Sequence, residues 1–332
     1  MKKFKVFLTA LLILSLVFSF AACGGTEEPA GEGEGEGEAP VSYNLILATG
    51  GTSGTYYPYG GAMAAIFNAN IEGMNCTAQS SGASAENLRL LNSGEADLAI
   101  VQNDVMDYAY NGIELFEGAA IDGYSAIACL YPEVVQIVAR PELNVESIAD
   151  LAGLRVSIGD AGSGVETNAI QILAAYGLTR DDIDARNLSF KESGSAFQDN
   201  QLDAFFVTAG VPNAAIQEIC VTKEVTMISL GGDELAGLLE QYGYYTEYTI
   251  PAGTYGEAPD ATAVSIMATL AVSDALDEDV VYNITKTLFE KQADLAAQHA
   301  KGAELSLEKA LDGISIPLHP GAQKYYEEAG LL

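Results

Sequence analysis

The chain is 332 residues long and carries 46 Asp and Glu against 15 Lys and Arg, a formal charge of -31, with 49% hydrophobic and 18% charged residues. That is a globular composition short of basic side chains, and it argues against the clustered Lys and Arg that phosphate backbones or anionic lipid surfaces require. The length, with 34 Gly and 10 Pro spread among apolar runs, points to two buried cores rather than one.

Lys2, Lys3 and Lys5 precede an almost wholly apolar run from Val6 to Phe18, too short for a bilayer span and suited to a secretory leader. Ala21 and Ala22 then stand before Cys23. The arrangement resembles a bacterial lipoprotein signal, which implies cleavage after residue 22 and acylation of Cys23. Phe20 stands where leucine is commonest, so a plain secretory signal or an uncleaved anchor is the alternative. Residues 23–40 form the acylated Cys and a tether, of which Gly24–Pro40 are only Gly, Glu, Ala, Pro and Thr with no large apolar side chain, a disordered stretch with a reach of roughly 20–25 Å. The expected location is extracytoplasmic, lipid-anchored to the outer face of the cytoplasmic membrane. Cys76, Cys129 and Cys220 lack the short spacings of a zinc site and read as small buried hydrophobes in preference to a disulfide.

From Tyr43 onward short strands and helices alternate. Asn44–Ala48 reads as a buried strand, Gly50–Tyr57 as a glycine loop, and Met63, Ile66 and Phe67 as the apolar face of a helix. Ser84 can cap a helix bearing Leu88, Leu90 and Leu91, which stops at Gly94 before the strand Asp97–Gln102. The pattern then repeats: strand Arg155–Ile158, glycine loop Gly159–Thr167, a helix with Ile170, Ile172 and Leu173, and the run Phe197–Thr208 paralleling Leu91–Gln102. In the first copy 47 residues separate Gly50 from Asp97; in the second, 44 separate Gly159 from Asp203. Between and after them, Val134–Pro141 and Thr262–Val272 read as strands leaving and re-entering the first unit. A helix over Asp277–Gln298 and a last one near Gly321–Ala329 complete the chain. The predicted class is α/β: two lobes with parallel strands and a ligand cleft at their carboxyl ends, joined by hinge strands near Arg140 and Leu230. Lobe 1 takes residues 41–139 and 232–332, and lobe 2 takes residues 140–231.

A glycine loop leading into a helix presents unpaired N–H groups and the positive end of the helix dipole, an anion seat that needs no Lys or Arg. Gly51 offers close backbone approach, Thr52, Ser53, Thr55 and Ser163 offer hydroxyls, and Tyr56 and Tyr57 an apolar face with a polar tip. One such loop is a common packing solution; two in matching places favour a ligand site. Neither is a P-loop or a dinucleotide fingerprint, and no metal-binding motif is present, so no cofactor or metal is expected. Ser163 fails the nucleophile-elbow pattern and His299 and His319 lie far from both loops, so the protein is not read as an enzyme. Asp104, Asp160 and Glu166 could pair as carboxylates; Glu166 reads first as a complement to its helix dipole, or as a receiver of a ligand ammonium group.

Five motifs in order, Gly50–Gly60, Ser81–Asn87, Gly94–Gln102, Ile250–Tyr255 and Pro317–Ala322, resemble the TAXI family of solute-binding subunits of tripartite ATP-independent periplasmic (TRAP) transporters, over about Tyr43 to Leu332. The resemblance implies a type II periplasmic-binding-protein fold, closure of two lobes on a small organic anion, either a glutamate-like amino acid or a dicarboxylate, and delivery to a TRAP membrane permease. By motif position it implies Thr52, Tyr56, Ser84 and Gln102 on lobe 1, with Ser163, Glu166, Thr167 and Gly210 on lobe 2, as ligand contacts; Ser84 as a helix cap and Gln102 as a strand end are the plain alternatives. A receptor for an ATP-driven importer or a sensor kinase would share these features, and a surface hydrolase is the enzyme alternative.

Overall fold

A computed structural model describes residues 42–332; the expected leader, Cys23 and the tether lie outside the described residues. The first unit begins with β1 (Tyr43–Ala48), whose Leu45 and Leu47 turn inward, followed by α1 (Tyr56–Asn70) and β2 (Met74–Gln79). Next come α2 (Ser84–Ser93), β3 (Leu98–Gln102), which is buried at every residue, and α3 (Asn103–Asn111). α2 ends where Gly94 adopts φ 73°, the left-handed cap that glycine takes without strain. β4 (Tyr124–Ala139) leads to the second unit: β5 (Arg155–Ser157), α4 (Gly164–Ala175), β6 (Asp184–Arg186), α5 (Phe190–Gln198), β7 (Ala204–Ala209) and α6 (Ala214–Cys220). The chain returns through β8 (Thr226–Met227), α7 (Gly232–Gln241), β9 (Thr246–Ile250) and β10 (Ala261–Ser273), then ends in α8 (Glu278–Glu290), α9 (Gln292–Gln298) and α10 (Pro320–Ala329). The single helix expected over Asp277–Gln298 is divided at Lys291, whose backbone (φ -106°, ψ 19°) leaves the helical region.

The strands run in the order β2-β1-β3-β10-β4-β7-β5-β6. β1, β2 and β3 are parallel, as are β5, β6 and β7, while β4 and β10 lie antiparallel to their neighbours between the two parallel sets. The turns Gly94–Asp97 and Asn200–Asp203, which precede β3 and β7, end in an Asp for the same physical reason. Asp97 accepts the Ile46 amide through its side chain (2.8 Å) and returns its own amide to the Ile46 carbonyl (2.9 Å). Asp203 does the same to Arg155, at 2.9 Å in both directions. In each unit a carboxylate thus satisfies a strand amide that would otherwise lack a partner.

Helices cover both faces of each half. In the first, α1, α8 and α10 enclose Leu47, Phe67 and Leu270 on one side, while α2 and α3 enclose Leu88 and Met106 on the other. In the second, α4 and α7 cover Ile172 and Phe206, and α5 and α6 cover Phe205 and Ile216. Each fully buried Leu, Ile or Phe contributes about 1.5–3 kcal/mol of transfer free energy. The cores change over within β4 and β10: Leu130 and Tyr131 belong to the first half and Val134 and Val135 to the second, just as Ala268 belongs to the first and Ile266 to the second. The boundaries expected at 139/140 and 231/232 are therefore displaced. Leu235 and Leu238 of α7 pack beside α4 in the second half, because α7 presents its apolar stripe there, and the chain crosses back only at Ile266–Ala268. Arg140 is not at the crossing; its guanidinium binds the Phe197 carbonyl at the end of α5 (3.0 Å) and the Leu202 carbonyl (2.7 Å).

Cys76, Cys129 and Cys220 are free, the first two buried. Among the described residues no helix is long and apolar enough to cross a membrane, and no group of side chains could hold a metal ion.

Candidate ligand-binding site

Residues at or just beyond the carboxyl ends of β1, β3, β5 and β7 line one cavity of about 40 Å³. The first half contributes the Gly50–Tyr56 loop, Ser84 and Gln102; the second contributes Asp160, Ser163–Val165, Phe190 and Thr208; Glu133 of β4 comes from the line between them. Three helices start here, α1 at Tyr56, α2 at Ser84 and α4 at Gly164. α1 has no acidic residue in its first turn. The first-turn carboxylates of α2 and α4 are turned back on their own loops: Glu86 accepts the Gly82 amide (2.6 Å) and Glu166 accepts the Gly162 amide (2.7 Å). Each helix start carries about half a positive charge, and no lysine or arginine lines the cavity.

The sequence builds these termini in different ways. Ser163 caps α4 by accepting the Glu166 amide at 3.1 Å. Gly159 sits at φ +91°, where a Cβ would also meet Val165 at 2.7 Å, so the turn into α4 requires glycine. α2 is capped not by Ser84 but by Ala83, held at φ 72°, a conformation that strains a residue with a side chain by about 1–3 kcal/mol. Ser84 instead accepts the Gln102 amide at 3.1 Å and so ties α2 to the end of β3. Gln102 is 2% exposed, and its carboxamide oxygen has no hydrogen-bond partner.

The two halves touch across this site. The Gly210 amide donates to Thr55 Oγ1 (3.2 Å). Beside the cavity, Asn168 of α4 donates to Asp104 of α3 (3.0 Å) and to Tyr245 (2.9 Å) and accepts from Thr208 (3.0 Å). Gln171 donates to Tyr108 (3.1 Å) and accepts from Tyr245 (2.6 Å). These bonds hold the halves together with the cavity closed between them.

Of the residues expected to contact ligand, Gly51, Thr55, Tyr56, Ser84, Gln102 and Ser163 line the cavity. Thr52 does not; it faces an adjoining groove of about 280 Å³ with Lys191 and Gln198, which meets the cavity at Ser53 and Phe190. Glu166, Thr167 and Gly210 also lie off the cavity wall. The Glu166 carboxylate is partly buried, yet its bonds from the Gly162 amide, Asn187 and Arg180 (2.5 Å) hold it below the usual carboxylate range and turn it toward its own half. Thr167 bonds back to the Ser163 carbonyl (3.4 Å), and the Lys301 stem covers Gly210.

Two wall residues escaped the sequence reading. Phe190 gave no signal. Glu133 did: it is the only charged residue between Tyr124 and Ala139. It is 2% exposed, accepts the Tyr56 hydroxyl at 2.5 Å, and has no lysine or arginine nitrogen within 4.0 Å among the described residues. Burial pushes its carboxyl up to about 8, with Tyr56 opposing the shift, Asp104 adding to it and the more distant Lys301 opposing it. Burial likewise raises Asp104 to about 7, opposed by its bonds from the Val105 amide and Asn168. Asp160 is raised by burial and by Glu192 and Glu86.

The two histidines serve helix starts: His319 Nδ1 accepts the Gly321 amide and His299 Nδ1 the Lys301 amide, both at 3.2 Å. Neither assists a serine. Ser163 uses its hydroxyl oxygen to cap α4.

The sequence pattern of the NMT1-like family matches residues 47–330. Among solved structures, the chain is similar to the alkanesulfonate-binding protein SsuA from Xanthomonas axonopodis pv. citri bound to MOPS, with a TM-score of 0.50 and 16% identity over 87% of this chain and 84% of that one. It is similar to a protein from Bordetella bronchiseptica RB50, with a TM-score of 0.51 and 13% identity over 86% and 88%. It is also similar to a putative L-cystine ABC transporter protein from Listeria monocytogenes, with a TM-score of 0.50 and 14% identity over 80% and 98%. The likenesses establish a mixed α/β fold of the periplasmic-binding-protein kind.

Proposed function

The chain belongs to the NMT1-like family, and from that footing we propose that it is an extracytoplasmic solute-binding protein that closes two lobes on a small carboxylate, a glutamate-like amino acid or a dicarboxylate, and passes it to a TRAP-type membrane permease. The observation that carries this reading is the meeting of three helix starts from both halves at one cavity without a basic side chain, because backbone amides and helix dipoles can hold a carboxylate where no arginine is present. β4 and β10 are the strands about which the lobes would turn, and a ligand touching both lobes favours closure by its greater affinity for the closed form. Acylation of Cys23 would keep the protein beside its permease.

Calorimetry of native protein, Thr55→Ala and Ser163→Ala against organic acids and amino acids tests the reading. Each variant is expected to weaken binding by about 1–3 kcal/mol. A native protein that takes up none of these solutes would overturn it. A receptor for an ATP-driven importer is the second reading, favoured by the likeness to the Listeria transporter protein. Membrane subunits recovered with the full-length protein, a TRAP permease or an ATPase-linked one, separate the two.

A further inference from the structure

The wall of the cavity carries two kinds of group at once. Helix starts supply hydrogen-bond donors and partial positive charge. Opposed to them are three groups that favour a cation or a donor: the carboxyls of Glu133 and Asp160, and the carboxamide oxygen of Gln102, buried and without a partner. A simple dianion would leave that oxygen unpaired and, with no basic side chain in the wall, could not sit beside either acid in its ionised form. A buried acceptor left empty weakens binding, and like charges repel strongly where water is excluded. A zwitterion satisfies both sets, with its carboxylate at the helix starts and its ammonium group at the acceptors.

We propose that Glu133, with Gln102 on the same cavity wall, is the residue that selects an amino-acid solute over the oxo acid or dicarboxylate of the same skeleton, by receiving the ligand's ammonium group and giving up one proton to solvent as it does so. This rests on the solute-binding reading and narrows it. The step balances: a protonated Glu133 carboxyl and a ligand ammonium become a carboxylate–ammonium pair, and the proton released leaves for bulk water. Tyr56 already donates to one carboxylate oxygen (2.5 Å) and is placed to stabilise the ionised form. The groups facing Glu133 from neighbouring elements are Tyr56 on α1, Asp104 on α3, Tyr131 on its own strand and Lys301 beyond α9. Only Lys301 is cationic, and its ammonium is paired with Glu304 at 2.6 Å. The carboxyl raised to about 8 is accordingly protonated in the empty site at neutral pH, and an ammonium group in contact would ionise it.

The test pairs L-glutamate with 2-oxoglutarate, and other amino acids with their 2-oxo acids, in titration calorimetry of the full chain from pH 6 to pH 9, in buffers of different ionisation enthalpy. Native protein is expected to prefer the amino acid, to release close to one proton per ligand below pH 8, and to gain affinity by up to about tenfold per pH unit until Glu133 is ionised in the free protein. Glu133→Gln is expected to lose about 30-fold or more for the amino acid and little for the oxo acid. Should that variant fail to fold, Tyr56→Phe serves in its place: without the hydroxyl, the pH at which affinity levels off moves up. Tighter binding of the oxo acid, equal affinity of native and Glu133→Gln protein for the amino acid, or affinity that falls from pH 6 to pH 8 each overturns the assignment while solute capture stands. If neither class of ligand binds the native protein, solute capture itself falls, and this assignment with it.

Discussion

Replacing Gly164 with alanine is a test of closure that leaves each half intact. Gly164 opens α4 in the second half, and a Cβ built there would lie 1.7 Å from Gln102 Oε1 and 2.3 Å from Cδ at the end of β3 in the first. Both distances are well under van der Waals contact, so either the carboxamide swings away or the halves separate. Overpacking of this kind costs about 1–3 kcal/mol, and the clash exists only when the halves are together. The closed form alone is penalised, which raises the apparent dissociation constant by about 5- to 150-fold. The folded halves are untouched, so thermal stability without ligand should change by less than about 1 kcal/mol. Calorimetry on a double-mutant cycle with Gln102→Ala isolates the pair: once the carboxamide is gone, Gly164→Ala should cost little further. If Gly164→Ala binds ligand as the native protein does, or loses as much affinity in the Gln102→Ala background as alone, the halves do not close on this contact and the reasoning fails.

Asn168→Ala strips partners from Asp104, Tyr245 and Thr208 together; closure is expected to weaken by about 1–3 kcal/mol, read as a larger radius of gyration in X-ray scattering without ligand, and an unchanged radius would count against a cross-half latch. Asp97→Ala and Asp203→Ala each leave a strand amide without its acceptor, so urea unfolding should show a loss of about 1–3 kcal/mol apiece. The Asp203 carboxyl is held below its ordinary value chiefly by its bonds from Arg155, so its contribution is present above the ordinary carboxylate range and disappears as the pH falls through the folded value. Glu133 has the opposite sign. Its folded value is raised to about 8, so it does not oppose folding while protonated, and stability falls as the pH climbs from about 4.5 to about 8. Melting temperatures at pH 5 and pH 8 should therefore converge in Glu133→Gln relative to native protein, and an unaltered gap would contradict a protonated Glu133.

The glycine loops, the strands that precede them and the matching positions of Asp97 and Asp203 were legible because each is a short sequence pattern: apolar runs, a turn that needs glycine, an acid at a similar distance after it; the strand amides those acids answer, 51 and 48 residues back, were not. The same local patterns put Gly51, Thr55, Tyr56, Ser84, Gln102 and Ser163 on the cavity wall. Reading failed where the deciding contact was distant. Glu166 looks available in its own helix turn and is in fact bonded to Arg180 and Asn187. Phe190 reaches the cavity only because α5 packs behind the Gly51–Gly54 loop, with its ring 3.5 Å from a Cβ built at Gly54. The passage of the chain back to the first half was placed at 232, beside the hinge expected near Leu230, whereas β10 serves the cores of both.

That shared role of β4 and β10 gives Glu133 its significance. On β4 the core changes sides between Tyr131 and Val134, and on β10 between Ile266 and Ala268. The two changes lie side by side, since Glu133 pairs in register with Ile266 and Pro132 with Met267. A carboxyl buried on that line belongs to neither half, and it is gripped from the first by the Tyr56 hydroxyl at the start of α1. A charge placed there by an ionising contact acts on the one level of the sheet where both connecting strands pass from half to half. Rotation of the halves would move the helix starts of α1 and α4 relative to this point while leaving the point itself fixed. A ligand anchored at Glu133 would therefore stay in place as the second half arrives, with the α4 amides reaching it only in the closed form, the differential affinity that closure demands.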